Sequence, residues 1–189
     1  MAMEYELKYA ATEAVLEQIN SAMSAPAEVY KMQTTYYDTP SRNLGKRHIT
    51  LRRRLENEKS VCTLKAPAKL GRAEFELECE DIESAIPELC KLSGVDPALL
   101  SQGVAPVCGA RFIRRARTIT LPNATVEFAL DQGVLLGGHK ELPLYEVEVE
   151  LKDGEPAAAA AYAVELALTY GLQPEPKSKF KRAYDLTKE

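Results

Sequence analysis

Charged and apolar residues alternate along several short stretches of the chain. Glu4-Tyr5-Glu6-Leu7-Lys8 opens it that way, and Glu146-Val147-Glu148-Val149-Glu150 repeats the pattern near the end. Between them lie Arg52-Arg53-Arg54, Thr63-Leu64-Lys65 and Glu74-Phe75-Glu76-Leu77-Glu78. A strand has period two, so each stretch places its charges on one face and its apolar residues on the other. The same reading predicts strands over 3–10, 29–38, 46–56, 60–67, 72–80, 107–121, 124–131 and 142–151. Asn57-Glu58, Leu70-Gly71 and Pro122-Asn123 mark turns between them, and Asp38-Thr39-Pro40 ends another strand.

Helical spacing appears at 12–23, where Thr12 can cap the helix and Val15, Leu16, Ile19 and Met23 share a face. Two short helices follow at 83–92 and 96–102, joined by Gly94. Asp153-Gly154-Glu155-Pro156 starts a helix that runs to Tyr170, stops at Gly171, and has Val164, Leu168 and Leu172 on its expected buried side. A last helical turn or two is expected over 178–186.

These elements describe an α+β chain dominated by antiparallel strands. Two architectures satisfy strands with one apolar and one charged face. One is a sheet with a solvated side. The other is a closed or nearly closed barrel with a charged lumen, flanked by helices that cover its apolar outside. The 189 residues, 46% of them hydrophobic, suffice for one domain with a real core. A formal net charge of -4 argues against non-specific nucleic-acid binding. No apolar run reaches membrane-spanning length, and the charged start of the chain does not resemble a signal peptide. Cys62, Cys79, Cys90 and Cys108 are scattered, and only His48 and His139 accompany them. A zinc site needs clustered ligands, so the cysteines read as small buried hydrophobes of a reducing, cytoplasmic protein.

If the charged faces converge, the chemistry narrows. Glu4, Glu6, Asp131, Glu146 and Glu148 supply carboxylates, and Lys8, Arg52, Arg54, Lys65, Arg114 and Lys179 supply cations. Hard divalent ions take oxygen ligands, and magnesium is held by a few carboxylates together with phosphates and water. Arginine forks and lysine ammonium groups bind phosphate oxygens. A metal–polyphosphate complex relieves the repulsion within both sets of charges; internal salt bridges would as well, although desolvating so many charges yields little stability.

The same residues carry a resemblance. The chain resembles the CYTH domain, or triphosphate tunnel metalloenzyme, family, whose hallmark is Glu-x-Glu-x-Lys, here Glu4, Glu6 and Lys8. The rest of the pattern follows in order: Tyr36-Tyr37-Asp38-Thr39-Pro40 with Leu44, Leu51-Arg52-Arg53-Arg54, Thr63-Leu64-Lys65, Arg72-Ala73-Glu74 and Phe112-Ile113-Arg114. Ala129-Leu130-Asp131-Gln132-Gly133, Glu146-x-Glu148-x-Glu150 and Ser178-Lys179 complete it. The last segments are similar to those of bacterial inorganic triphosphatases, which often carry a histidine-rich helical CHAD domain after the CYTH domain. The similarity covers essentially the whole chain and implies a single domain over 1–189, without the CHAD part. It implies an eight-stranded antiparallel tunnel that uses Mg2+ or Mn2+.

The expected activity is that of a metal-dependent triphosphatase, cleaving inorganic triphosphate to pyrophosphate and phosphate. Lys8, Arg52, Arg54, Lys65, Arg114 and Lys179 are the expected phosphate-binding groups, and Glu4, Glu6, Asp131, Glu146 and Glu148 the metal ligands. Lys8 and Glu74 are the candidates for catalytic proton handling, beside a metal-bound carboxylate. Arg53 has the wrong parity and is expected outside. On the long strand a bulge would exchange Arg114 for Arg111, Arg115 or Arg117. The position two residues before Arg114, often lysine in the family, is Phe112. Glu127 and Glu150 are secondary acidic candidates, Glu78 and Glu80 read as solvated, and Tyr36 and Tyr37 as wall packing.

Thiamine triphosphate, nucleoside triphosphates and class IV adenylate cyclase chemistry are alternatives within the fold. The absence of tryptophan removes one platform for an organic ring. A non-catalytic polyphosphate-binding module is the alternative outside enzymes. The partner expected is thus a small triphosphate, with no nucleic acid and no membrane, and oligomeric state is not legible.

Overall fold

The computed structural model describes residues 2–3, 5–68 and 72–188. Its strands are β1 (Ala2–Met3), β2 (Glu6–Ala10), β3 (Glu28–Asp38), β4 (Thr50–Glu56), β5 (Lys59–Pro67), β6 (Arg72–Glu78), β7 (Ala105–Leu121), β8 (Ala124–Gly137), β9 (Lys140–Gly154) and β10 (Gln173–Pro174). Four helices accompany them: α1 (Glu13–Ala22), α2 (Ile82–Ser93), α3 (Pro156–Tyr170) and α4 (Lys179–Asp185). All strand pairs are antiparallel and form one ladder in the order β1-β6-β5-β4-β3-β7-β8-β9-β2-β10.

The fold is α+β, and among the described residues the ladder of ten strands does not close, where a closed or nearly closed eight-stranded barrel was expected. The N-terminal segment nonetheless works at both ends of it. Ala2 and Met3 pair with Glu74 and Ala73 on β6, whereas Glu6 to Ala10 pair with Glu150 to Glu146 on β9. Glu4, expected between them as a metal ligand, lies outside the described residues, as does the expected turn at Leu70-Gly71.

Period two sorts the sheet as expected. Leu51 and Leu64 are fully buried on the outer face, in a cluster with Ile82, Ala85 and Leu89 of α2. Leu16 and Ile19 of α1 and Ala159, Ala163 and Leu166 of α3 cover Val126, Phe128, Val147 and Val149 of β8 and β9. Each fully buried leucine or isoleucine contributes about 1.5–3 kcal/mol. The helices thus dry the apolar side and leave the charged side inward.

Local signals placed most helix ends. The Thr12 hydroxyl accepts from the Val15 N–H, and Gly94 and Gly171 end α2 and α3 at φ 69° and 67°. Asp38, read as a turn former, is buried and accepts from the backbone N–H groups of Thr39, Leu44 and Gly45.

Three expectations are corrected. Residues 46–49 are not strand. Gly45–Arg47 is a 3-10 turn ended by His48 in the left-handed region at φ 57°. The strands of the β8–β9 hairpin are longer than expected, 14 and 15 residues, because its turn sits at Gly138-His139. On α3, Val164 and Leu168 are exposed, 50% and 81%, and small Ala159 and Ala163 face the sheet. The helix is apolar nearly all round, so spacing alone could not choose its buried side.

Candidate functional site

The inward face of the sheet surrounds a cavity of about 590 Å³ to which every strand from β2 to β9 and α4 contribute. Eight lysine and arginine side chains and seven glutamates line it. That near balance suits a ligand carrying both signs, such as a cation–polyphosphate complex, better than a bare anion. Of the expected groups, Glu6, Lys8, Arg52, Arg54, Lys65, Glu74, Arg114, Glu148 and Lys179 all reach the cavity.

One wall is basic. Register places Arg52 opposite Thr63, and Lys65 opposite both Thr50 and Glu74. Arg52 and Lys65 share Glu74, at 3.2 and 3.1 Å, and Arg52 also lies 3.6 Å from Glu76. Arg54 is 9% exposed, donates its Nε–H to the Thr34 hydroxyl at 3.0 Å, and has Glu56 only at 3.9 Å. Burial, followed by Arg52 and Arg114 alongside, pulls the Arg54 guanidinium below its ordinary pKa. An anion placed beside Arg54 would relieve that strain.

Parity holds on its outer side. Arg53 points away, donating to the Ser60 hydroxyl at 2.9 Å and lying 3.8 Å from Glu80. Glu78 and Glu80 are exposed, the former paired with Lys59.

The opposite wall is acidic. Glu6 and Glu127 both face Glu150 across the ladder, Lys8 pairs with Glu148, and Asp131 pairs with Glu146. Lys8 donates to the Lys177 carbonyl at 3.4 Å. Deeper, Asp131 and Glu146 are fully buried and Glu148 is 7% exposed. Ligand oxygens of these three carboxylates lie within 4.8 Å of one another. They are held by cations. Arg114 grips Asp131 with two hydrogen bonds of 2.8 and 2.7 Å and also bonds Glu148. Lys179 lies 2.8 Å from Asp131 and bonds both Glu146 and Glu148. Arg182 bonds the second oxygen of Glu146 and lies 3.5 Å from Glu175.

The electrostatics follow from this packing. Burial pushes the Glu146 carboxyl up, against Lys179 and Arg182. Burial acts the same way on Glu148, but Lys179 and Arg114 outweigh it and hold that carboxyl well below the usual range. Burial would lower Lys179 and Arg114, and the surrounding carboxylates lift both instead.

Among the four arginines of β7, Arg114 alone lines the cavity. Arg111 pairs with exposed Glu141 and Arg115 with Glu17. Arg117 is buried outside, donating to the Ala25 carbonyl and the Asn20 side chain.

Sequence reading passed over Arg182, although it stands three residues from Lys179 on one short helix and so shares its face. It also missed that Phe112, 4% exposed, lies beneath three cations, with Arg54, Arg114 and Lys179 at 6.0, 5.9 and 5.4 Å from the ring centre. Arg72 and Lys152 were not singled out as binding groups either, and both line the cavity. Parity could have found them, since Arg72 shares its face with Glu74 and Lys152 with Glu148 and Glu150. His48 and His139 are exposed and away from it. Tyr36 packs on Phe180 of α4 at 5.1 Å, and Tyr37 joins the outer cluster around α2. No described helix is long and apolar enough to cross a membrane.

The chain is similar to several known proteins. The chain is 31% identical over 157 residues to an inorganic triphosphatase of Haemophilus influenzae, a match covering 79% of this chain and 44% of that one. The chain thus spans under half the length of this curated relative. Among solved structures it is similar to HpAC1 of Hippeastrum, named for adenylyl cyclase and described with a dominant triphosphatase activity. The TM-score is 0.67 at 19% identity, covering 97% and 96% of the two chains. PH1819 of Pyrococcus horikoshii superposes with a TM-score of 0.64 at 20% identity, covering 97% and 99%. Both likenesses speak for the fold. The CYTH domain family profile matches residues 2–184, and the chain belongs to that family.

Proposed function

We propose that this protein hydrolyses inorganic triphosphate to pyrophosphate and phosphate in a divalent-metal-dependent reaction within its charged cavity. The observation that carries the reading is the division of that cavity into a basic wall on β4 and β5 and an acidic wall on β2 and β9. The name of the Haemophilus relative, an inorganic triphosphatase, supports it. We further read the N-terminal segment, paired with both β6 and β9, as the piece that closes the ladder into a tunnel.

The donor set fits a hard cation. Asp131, Glu146 and Glu148 bring oxygens within 4.8 Å of one another, and Glu6 lines the cavity. With Glu4 they are the proposed ligands of Mg2+ or Mn2+. Such an ion, once bound, neutralises phosphate charge and acts as a Lewis acid on phosphoryl oxygen. Arg52, Arg54, Lys65, Arg114 and Lys179 hold phosphate oxygens and absorb charge that develops on them. Arg54 is the least compensated of these, so it gains most from an anion. Lys8 reaches the same cavity from the acidic side as a further phosphate donor. Glu74 pairs with Arg52 and Lys65, and Glu74 and Lys8, beside a metal-bound carboxylate, are the groups proposed to handle the proton of the attacking water.

A substrate panel tests the proposal: triphosphate, longer polyphosphate, ATP and thiamine triphosphate, each with magnesium, with manganese and with excess chelator. Triphosphate should show the highest kcat/KM, and chelator should abolish phosphate release. Higher kcat/KM for ATP or thiamine triphosphate at matched free metal would overturn the substrate, and undiminished release in chelator would overturn the metal dependence.

A further inference from the structure

The ammonium of Lys179 sits where a cation for the carboxylate cluster would sit. It lies 2.8 Å from Asp131, contacts Glu146 and Glu148, and is 6% exposed. An ammonium has three N–H donors and no acceptor, and here three carboxylates surround it. We propose that Lys179 is a built-in counter-ion of Asp131, Glu146 and Glu148, which a divalent cation displaces and which then turns to the phosphate chain. The inference rests on the metal-dependent triphosphatase reading and says how metal and substrate are coupled.

Three features support exchange at Lys179 rather than at its neighbours. Arg114 is fixed to Asp131 by a two-bond fork, and Arg182 is anchored between Glu146 and Glu175. A lysine head is a point charge on a flexible four-carbon stem, without that directional hold. Lys179 also lines the cavity already, at the first position of α4, so a rotation of its side chain reaches the lumen without moving the helix. The helix is otherwise seated firmly. A Cβ built on Gly137 would come within 2.2 Å of the Ala183 carbonyl oxygen, and Phe180 stacks between Tyr36 and Tyr184.

The charges then dictate the coupling. Without metal, Asp131, Glu146 and Glu148 face Arg114, Lys179 and Arg182. Exchanging the ammonium for a divalent ion makes the cluster one charge more positive and releases the ammonium charge beside it. Both changes favour a polyanion in the cavity. By reciprocity, triphosphate strengthens metal binding as much as metal strengthens triphosphate binding.

The test is Mn2+ affinity without substrate, read from free Mn2+ by electron spin resonance, in the wild type and Lys179→Met. Removing the competitor should tighten Mn2+ binding on the order of tenfold, while kcat/KM for triphosphate falls. Equal or weaker Mn2+ binding in Lys179→Met overturns the proposal. A measurement on the unaltered protein guards against a misfolded variant. The Lys179 ammonium resonance in 15N-lysine-labelled protein should shift as diamagnetic Mg2+ is added, and an unchanged resonance at saturating Mg2+ also overturns it. If triphosphate hydrolysis requires metal yet both readouts stay unchanged, only this inference falls. If neither protein binds Mn2+ nor hydrolyses triphosphate, the reading beneath it falls as well.

Discussion

The two walls of the cavity are built from the same kinds of residue and solve opposite problems. On β4 and β5, Arg52, Arg54 and Lys65 lie against Glu74, Glu76 and Glu56 at 3.1 to 3.9 Å, and burial, then its basic neighbours, keep Arg54 below its ordinary pKa. At the other wall, Asp131 and Glu146 are packed out of water behind Glu148, which still lines the cavity, and Arg114, Lys179 and Arg182 hold all three. On the first wall the cations meet their carboxylates beside the lumen, where a ligand can reach them. The second has spent its charge internally and releases it only by exchange. A buried charge is tolerated when paired, so the deep wall is where substitution should unfold the protein and the shallow wall where it should disable it.

The largest effect should come from Asp131→Ala. It removes the forked partner of Arg114 and one of the three carboxylates around Lys179, all largely buried, and breaking such a pair costs about 3–5 kcal/mol. Urea unfolding should show that loss. A loss below that of Glu76→Ala on the other wall would erase the distinction between the two.

Arg54→Ala should reverse the balance. A charge-assisted phosphate contact contributes about 1.5–3 kcal/mol, which is roughly tenfold or more in kcat/KM for triphosphate. Its stability should change less than that of Asp131→Ala. Arg53→Ala, one residue away on the outer face, should leave kcat/KM unchanged. Equal losses at Arg53 and Arg54 would mean that the register is wrong.

Gly137→Ala sharpens the comparison without touching a charge. The added Cβ meets the Ala183 carbonyl oxygen and Leu186, so α4 must shift or strain. Overpacking of this kind costs about 1–3 kcal/mol. Triphosphate KM should rise in steady-state kinetics because Lys179 moves with its helix, and Mn2+ binding should tighten as that ammonium draws away from the carboxylates.

The smallest effect is expected at the thiols behind the walls. Burial pushes Cys62 up to about 11 and Cys108 up to about 12, so both remain protonated at pH 8. Mass spectrometry after iodoacetamide treatment of the native protein should find neither modified. Rapid labelling of Cys62 would show that the α2 face opens.

Much of this was legible in the chain because period two is a local rule. Parity alone placed Arg52, Arg54 and Lys65 inward, Arg53 outward, and Leu51 and Leu64 beneath helices. Helix ends were legible for the same reason, since Thr12, Gly94 and Gly171 act on their own backbone neighbours. The buried side of α3 was not, because an almost wholly apolar helix has no preferred face until a sheet is laid against it.

The chain by itself therefore determined which residues could face a common cavity, and hence that the cavity is charged with both signs. Only the tertiary structure decided which acids face it directly and which are locked behind it. Asp131, Glu146 and Glu148 have the parity of ligands, but whether they meet water, metal or lysine depends on a helix more than thirty residues further along. No local pattern encodes that meeting. It arises because Gly137 and Phe180 let α4 dock closely enough for Lys179 and Arg182 to reach β9. In a dry interior, position relative to an opposite charge governs what a carboxylate can do.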